Sequence, residues 1–164
     1  MNTRILFVCL GNICRSPMAH AVFETKAQAA GLDVYVESAG TGGWHVGDPP
    51  DGRAQAEAMR RGYDLSLLRA QQAVVRDFDR FDLIVAMDRS NWTALERMRP
   101  STSEIPVELF LSFAEVTEME VPDPYYSGGF ELALDLIEAA SDGLISRLRA
   151  GYPQKLSAAS PNSL

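Results

Sequence analysis

Apolar positions along the chain fall into short unbroken runs separated by longer stretches that repeat every three or four residues. The first run, Arg4-Ile5-Leu6-Phe7-Val8, shows no polar alternation and predicts a strand buried on both faces. A loop follows from Cys9 to Arg15, and then Ser16-Pro17, a serine N-cap ahead of proline at the first helical position. The predicted helix runs through Met18, Ala19, Val22 and Phe23 to the alanines before Gly31, which stops it. Val34–Val36 predicts a second strand, and residues 40–50 form a glycine-rich loop carrying Trp44. A helix from Asp51 or Gly52 to Arg61 is ended by Gly62. Leu83–Met87 predicts a third buried strand, and Asp88-Arg89-Ser90-Asn91 opens a helix, with Asp88 and Ser90 as its caps, that closes before Pro100. Val107–Phe110 predicts a fourth strand, less strongly marked. Phe130, Leu134, Ile137, Leu144 and Leu148 recur at helical spacing and predict a long amphipathic C-terminal helix.

Strands that alternate with helices predict an α/β fold, with a four-stranded parallel sheet flanked by helices on both faces. In such sheets ligands gather beyond the carboxyl ends of the strands, where the strand order reverses. Cys9 stands at the carboxyl end of the first strand. From Gly151 the chain is rich in serine, alanine and proline. One domain is therefore expected over residues 1–150, with a mobile tail over 151–164.

Composition narrows the classes. A chain of 164 residues with 46% hydrophobic and 23% charged positions can bury one proper core. The net charge of −7 argues against a general nucleic-acid binder, which needs a basic surface, though it leaves room for a cradle that holds one phosphate. The two cysteines, Cys9 and Cys14, are too few for a disulfide scaffold, and adding His20 and His45 supplies no structural zinc site. Both histidines read as surface or packing residues. No apolar run spans a membrane, and Ile5–Leu10 is too short for the core of a secretion signal. Reduced thiols in a cytoplasmic setting are expected, with no cofactor and no metal.

The string from Cys9 to Ser16 carries the chemistry. Backbone amides that curl around one point, closed by a helix N-terminus, make an anion cradle. Arg15 completes it with a planar fork matched to two phosphoryl oxygens. The same positive field favours the thiolate of Cys9, at the bottom of the cradle. Gly11 permits close approach of a ligand, and Asn12 tolerates the left-handed region. Ser16 can return a hydrogen bond to the sulfur. The competing reading makes Cys9 a buried strand-end cysteine and Ser16 only a cap, but the glycine, the arginine and the serine-proline start at these offsets speak against it.

Val8-Cys9-Leu10-Gly11-Asn12-Ile13-Cys14-Arg15-Ser16-Pro17 resembles the signature of the low-molecular-weight protein tyrosine phosphatases. The likeness continues through Ser38-Ala39-Gly40-Thr41, Trp44-His45-Val46-Gly47, Met87-Asp88-Arg89-Ser90-Asn91 and Val121-Pro122-Asp123-Pro124-Tyr125-Tyr126, and so covers the chain to about Leu148. It implies the four-stranded fold already inferred and hydrolysis of phosphotyrosine through a cysteinyl-phosphate on Cys9, with Arg15 as phosphate clamp. Asp123, which by itself reads as a turn residue between two prolines, becomes the general acid and base. Leu10, Gly11, Asn12, Ile13, Cys14 and Ser16 would surround the phosphate. Trp44, Tyr125 and Tyr126 would line an aromatic slot, against a fair alternative for Trp44 as a lid over the core. The partner implied is a phosphotyrosine-containing protein or peptide made by a tyrosine kinase.

Cys14 is either filler or, as the resemblance implies, a partner for reversible oxidation of Cys9. The chain departs from the family at Leu68, where a histidine often joins the network of the loop asparagine and serines, and at Gln71, where arginine is common; Asn12, Ser16 and Ser38 remain. Three other readings stay open. An arsenate reductase on the same fold would lack the relay cysteines, since none follows Cys14. A protein arginine phosphatase resembles this family but carries threonine where Ile13 stands and lacks the tyrosine pair. A phosphotyrosine-binding module without turnover would have no use for Asp123.

Overall fold

The computed structural model describes residues 2–154. Four strands, β1 (Thr3–Cys9), β2 (Val34–Gly40), β3 (Leu83–Ala86) and β4 (Val107–Leu109), form one parallel sheet in the order β2-β1-β3-β4. Five helices surround it: α1 (Arg15–Ala29), α2 (Gly52–Arg60), α3 (Asp77–Arg80), α4 (Arg89–Met98) and α5 (Phe130–Arg149). The order reverses at β1, so the chain leaves the ends of β1 and β3 toward opposite sides and opens a crevice above them.

The pleat of β1 explains the two layers. Ile5, Phe7 and Cys9 face the cluster built with α1, α2 and α5, where Phe7 meets Phe23 and Phe110 at ring distances of 5.5 and 5.1 Å. Leu6 and Val8 face the smaller cluster of Phe78, Phe81, Leu95 and Val107. Both faces being covered, an unbroken apolar run is what a central strand requires. Ile5, Phe7 and Val8 are fully buried, so the strand that ends in Cys9 is anchored in the deepest part of the molecule.

The predicted elements lie where the pattern places them, with four differences. β2 extends to Gly40 because its end pairs with β1 up to Cys9. Helix α1 begins at Arg15 with Cys14 at the N-cap, and no side chain caps it. Ser16 is therefore not the cap: it lies in the first turn, fully buried, with its hydroxyl turned to the loop rather than to a helix amide. At α4 Asp88 is the cap, but its reciprocal partner is Asn91 and not Ser90. Asp77–Arg80 and a 3₁₀ turn at Phe110–Phe113 are additional elements, too short to leave a periodic signal.

Past α5 the chain folds back, and the Tyr152 ring packs 5.8 Å from that of Phe113 with Arg147 over it at 4.6 Å. The rest of the tail expected to be mobile, residues 155–164, lies outside the described residues. Among the described residues no helix is long and apolar enough to cross a membrane.

Candidate active site

The loop after β1 is held from outside by its carbonyls. Thr41 N–H donates to the Cys9 carbonyl at 2.9 Å, Gly42 N–H to that of Leu10 at 2.9 Å, and Asp51 N–H to that of Ile13 at 2.8 Å. In a planar trans peptide the N–H points opposite to the C=O. Fixing these three carbonyls outward therefore turns the amides of Leu10, Gly11 and Cys14 the other way, toward the hollow of the loop. The free amides of the first turn of α1 add to them. Gly40 makes the close approach possible, since a Cβ there would stand 2.7 Å from the Leu10 carbonyl oxygen and 3.1 Å from the Asn12 nitrogen.

Asn12 is the keystone. It adopts φ 57°, alone in that region among the described non-glycine residues, and is buried. Its backbone N–H donates to Cys9 Sγ at 3.3 Å, its Nδ2 to Ser16 Oγ at 2.7 Å, and its Oδ1 accepts from the Gln71 amide at 2.9 Å. Ser16 Oγ in turn lies 3.0 Å from Cys9 Sγ and 3.3 Å from the Ala39 carbonyl. The hydroxyl has one proton and two acceptors in reach. When Cys9 is a thiol it can donate to Ser16, whose proton then goes to Ala39; when Cys9 is a thiolate, the Ser16 proton serves the sulfur.

Leu68 packs against the core, and the network closes without a histidine at that place because the Gln71 backbone supplies the donor. The Gln71 side chain donates to Glu37 and to the Ser38 carbonyl. Ser38 Oγ meets His20 Nδ1 at 3.2 Å, so this serine stands apart from the loop and His20 is a packing residue bonded to it.

Arg15 is 3% exposed and donates to Asp88 Oδ2 at 2.6 Å, to the Val121 carbonyl at 3.1 Å and to Asp123 Oδ2 at 3.5 Å. Burial works against its charge, but the Cys9 sulfur and the two carboxylates outweigh burial and hold its pKa above the ordinary value. Asp88 thus does two tasks, capping α4 and aiming the guanidinium. Asp123 is about one-third exposed, and its Oδ1 accepts from the Tyr125 amide at 3.1 Å. Cys14 is pushed up to about 12, by burial first and then by Asp51 and Cys9, so it stays a neutral thiol beside the nucleophile candidate. Both cysteines are free.

Cys9, Leu10, Gly11, Ile13, Cys14, Arg15, Trp44, Asp123, Tyr125 and Tyr126 line one cavity of about 330 Å³. The side chains of Asn12 and Ser16 stand behind the loop and brace it. Trp44, 73% exposed, is no lid over the core: its ring lies on Gly42, where a Cβ would be 1.8 Å from Cζ3. The Tyr125 and Tyr126 rings meet edge to face at 4.8 Å. His45 also lines the cavity, resting over Gly11 with Nδ1 3.2 Å from Asp48 Oδ2. Neither His45 nor Asp88 stands out in the sequence as a site residue. The signal for Asp88 is its place at the carboxyl end of β3, next to the strand that ends in Cys9. Among the described residues no group of three histidine, cysteine or acidic side chains is placed to hold a metal.

Residues 4–154 match the family model described as low molecular weight phosphotyrosine protein phosphatase. A low molecular weight protein-tyrosine-phosphatase of Streptomyces coelicolor is 45% identical over 157 residues, covering 91% of this chain and 95% of that one. The crystal structure of YfkJ from Bacillus subtilis superimposes with a TM-score of 0.88 at 38% identity, covering 93% of this chain and 98% of that one. A Drosophila structure described as an arginine phosphatase superimposes with a TM-score of 0.82 at 34% identity, covering 88% and 97%.

Proposed function

The chain belongs to the low molecular weight phosphotyrosine protein phosphatase family, and on that premise we propose that it hydrolyses phosphotyrosine in proteins through a cysteinyl-phosphate on Cys9. The observation that carries the reading is the convergence of Cys9, Arg15 and Asp123 on one cavity whose outer wall is aromatic. The amides turned inward and the Arg15 fork take the phosphoryl oxygens. Cys9 Sγ attacks phosphorus, the bond to the tyrosine oxygen breaks, and Asp123 gives that oxygen its proton. A water then attacks the cysteinyl-phosphate, Asp123 takes its proton, and the sulfur leaves as a thiolate that receives the Ser16 hydroxyl proton in a hydrogen bond. Inorganic phosphate is released and the starting protonation of Asp123 is restored.

The fold alone does not separate tyrosine from arginine as the phosphate carrier, since YfkJ of Bacillus subtilis, named a low molecular weight protein-tyrosine-phosphatase, and the Drosophila arginine phosphatase both superimpose on this chain. The wall supports tyrosine. Ile13, Trp44, Tyr125 and Tyr126 offer apolar faces to a flat ring, which stacks at about 4.5–7 Å between centroids.

Hydrolysis of phosphotyrosine and phosphoarginine is to be compared for the wild type, Cys9→Ser and Asp123→Asn, with a metal chelator present. The expected result is turnover of phosphotyrosine, abolished in Cys9→Ser and reduced by about 10²–10⁴-fold in Asp123→Asn. Preference for phosphoarginine would overturn the reading of the wall. Turnover that survives in Cys9→Ser would overturn the nucleophile.

A further inference from the structure

The loop from Val121 to Phe130 carries Asp123, and its two ends are fixed differently. At one end Val121 N–H donates to the Met87 carbonyl at 2.9 Å and its own carbonyl accepts from Arg15. At the other end Gly128 and Gly129 adopt φ 78° and 84°, and neither would meet anything within 4 Å on gaining a Cβ. That end is held from within: Gly128 N–H donates to the Pro124 carbonyl at 3.0 Å, and past Gly129 the chain enters α5 at the buried Phe130. Between these ends, among the described residues, the hydrogen bonds that reach the loop from outside come from two arginines. Arg15 holds the Asp123 carboxylate, and Arg53 Nη2 donates to the Tyr125 carbonyl at 3.0 Å. The Arg53 guanidinium also lies 5.6 Å from the Tyr125 ring centre and 4.9 Å from that of Phe130.

Arg53 is tied at its other side to the nucleophile loop. Its Nε and Nη2 grip the Asp51 carboxylate at 3.1 and 3.0 Å, and that carboxylate also caps α2 through the Arg53 amide at 2.8 Å. The Asp51 amide in turn donates to the Ile13 carbonyl. A continuous path therefore runs from Ile13 through Asp51 and Arg53 to Tyr125, whose amide donates to Asp123 Oδ1. An exposed arginine–aspartate pair by itself adds little to stability. This one joins the two segments that must stand at a fixed separation for the chemistry.

We propose that Arg53 is a positioning residue that fixes the Asp123 loop against the Cys9 loop. The inference rests on the phosphatase reading above, with Asp123 as the acid. Its role grows when substrate is bound: a phosphoryl group that takes up the Arg15 fork draws it away from Asp123. The bond from Arg53 goes to the backbone of the loop and is untouched by that exchange. A carboxylic acid matters most when the departing oxygen is a poor leaving group, so misplacing it penalises basic leaving groups selectively.

The test measures kcat/KM for phenyl phosphate and for 4-nitrophenyl phosphate, whose leaving group needs far less help from an acid. The wild type is compared with Arg53→Ala, Arg53→Lys, Asp123→Asn and the double variant Arg53→Ala/Asp123→Asn. Arg53→Ala is expected to lose roughly tenfold on phenyl phosphate and no more than about twofold on 4-nitrophenyl phosphate. Arg53→Lys, which keeps a donor but not the fork, should fall between wild type and Arg53→Ala with the same dependence on the leaving group. The double variant should be no worse on phenyl phosphate than Asp123→Asn, because the two changes act through one group. Equal losses on both substrates, or losses that add in the double variant, would overturn the inference while leaving Asp123 as the acid. If Asp123→Asn itself showed no dependence on the leaving group, the acid assignment would fall and this inference with it.

Discussion

Asn12 offers the sharpest test of how the loop is held, because one side chain serves three purposes that separate substitutions can divide. It accepts φ 57° at low cost, it satisfies the partly buried Gln71 amide, and it donates to Ser16. Alanine loses all three. The left-handed backbone costs an ordinary residue about 1 kcal/mol more than asparagine. The lost bond to the partly buried Gln71 N–H costs about 1 kcal/mol, and the lost bond to Ser16 about 1 kcal/mol. The sum is about 3 kcal/mol, a large share of the roughly 5–15 kcal/mol typical of a domain. Glycine accepts the backbone but not the hydrogen bonds, so Asn12→Gly should be about 1 kcal/mol more stable than Asn12→Ala. Aspartate keeps the acceptor for Gln71 and tolerates the backbone, yet replaces the donor facing Ser16 by a second acceptor. The Ser16 proton is then drawn to the carboxylate and away from Cys9. Asn12→Asp should therefore be the most stable of the three and among the least active. Urea unfolding gives the order of stabilities, and kcat with 4-nitrophenyl phosphate gives the activities. An Asn12→Ala protein within about 1 kcal/mol of wild type would refute the argument, since the backbone and the two lost hydrogen bonds together cost about three times that. So would an Asn12→Asp protein with wild-type kcat.

Two glycines should divide function from stability. Gly40→Ala puts a methyl against the backbone of the Cys9 loop, 2.7 Å from the Leu10 carbonyl oxygen, and should cost on the order of 10²-fold in kcat/KM through a displacement of the loop. Gly143→Ala puts one 1.8 Å from the Phe113 carbonyl oxygen, where α5 crosses the 3₁₀ turn; it should lower stability by about 3 kcal/mol in urea unfolding, with the kcat of the folded fraction unchanged. Stability should also fall in alkali. Cys14 and Tyr63 keep their protons to about 12 when folded, against ordinary values of 9.0 and 10.0. The unfolded chain releases protons first as pH rises, so their contribution is fully present below about 9 and is lost up to about 12. A Cys14→Ser/Tyr63→Phe variant should lose less stability than wild type across that window, measured by unfolding at fixed pH steps.

The sheet and its order of elements were legible because β1 and β3 are covered on both faces, and an unbroken apolar run in a chain of alternating elements seldom arises in any other way. The loop was legible because the spacing of cysteine, glycine, arginine and serine-proline is itself a description of an anion cradle. What escaped was whatever depends on contact between distant segments. Ser16 resembles a cap in every local respect, yet its hydroxyl meets Cys9, Asn12 and Ala39, two of them reached only once β1 and α1 fold back and the third lying on another strand. Asp88 was visible as a cap, but its second partner, Arg15, is 73 positions away. His45 gave no sign of facing the cavity, because a histidine on a glycine-rich loop has no period to reveal its direction. The missing histidine at Leu68 pointed to a weakened network, whereas the donor it would have supplied comes from a main-chain amide that no substitution removes short of proline.

The three carbonyl ties at Cys9, Leu10 and Ile13 have a consequence for inhibitors and for resistance to them. The groups turned toward the hollow of the loop are main-chain amides, and the amides of Thr41, Gly42 and Asp51 that hold the carbonyls away are main-chain as well. Both sides of that arrangement are written in atoms that nearly every amino acid shares. A compound anchored there by an oxyanion meets a surface that point mutation cannot redraw without breaking the loop. It also meets little that would distinguish this protein from any other built on the same loop. Discrimination has to come from Trp44, His45, Tyr125 and Tyr126. Trp44 and Tyr126 are so exposed that folding depends little on them, and the same positions are where escape from an inhibitor would arise first.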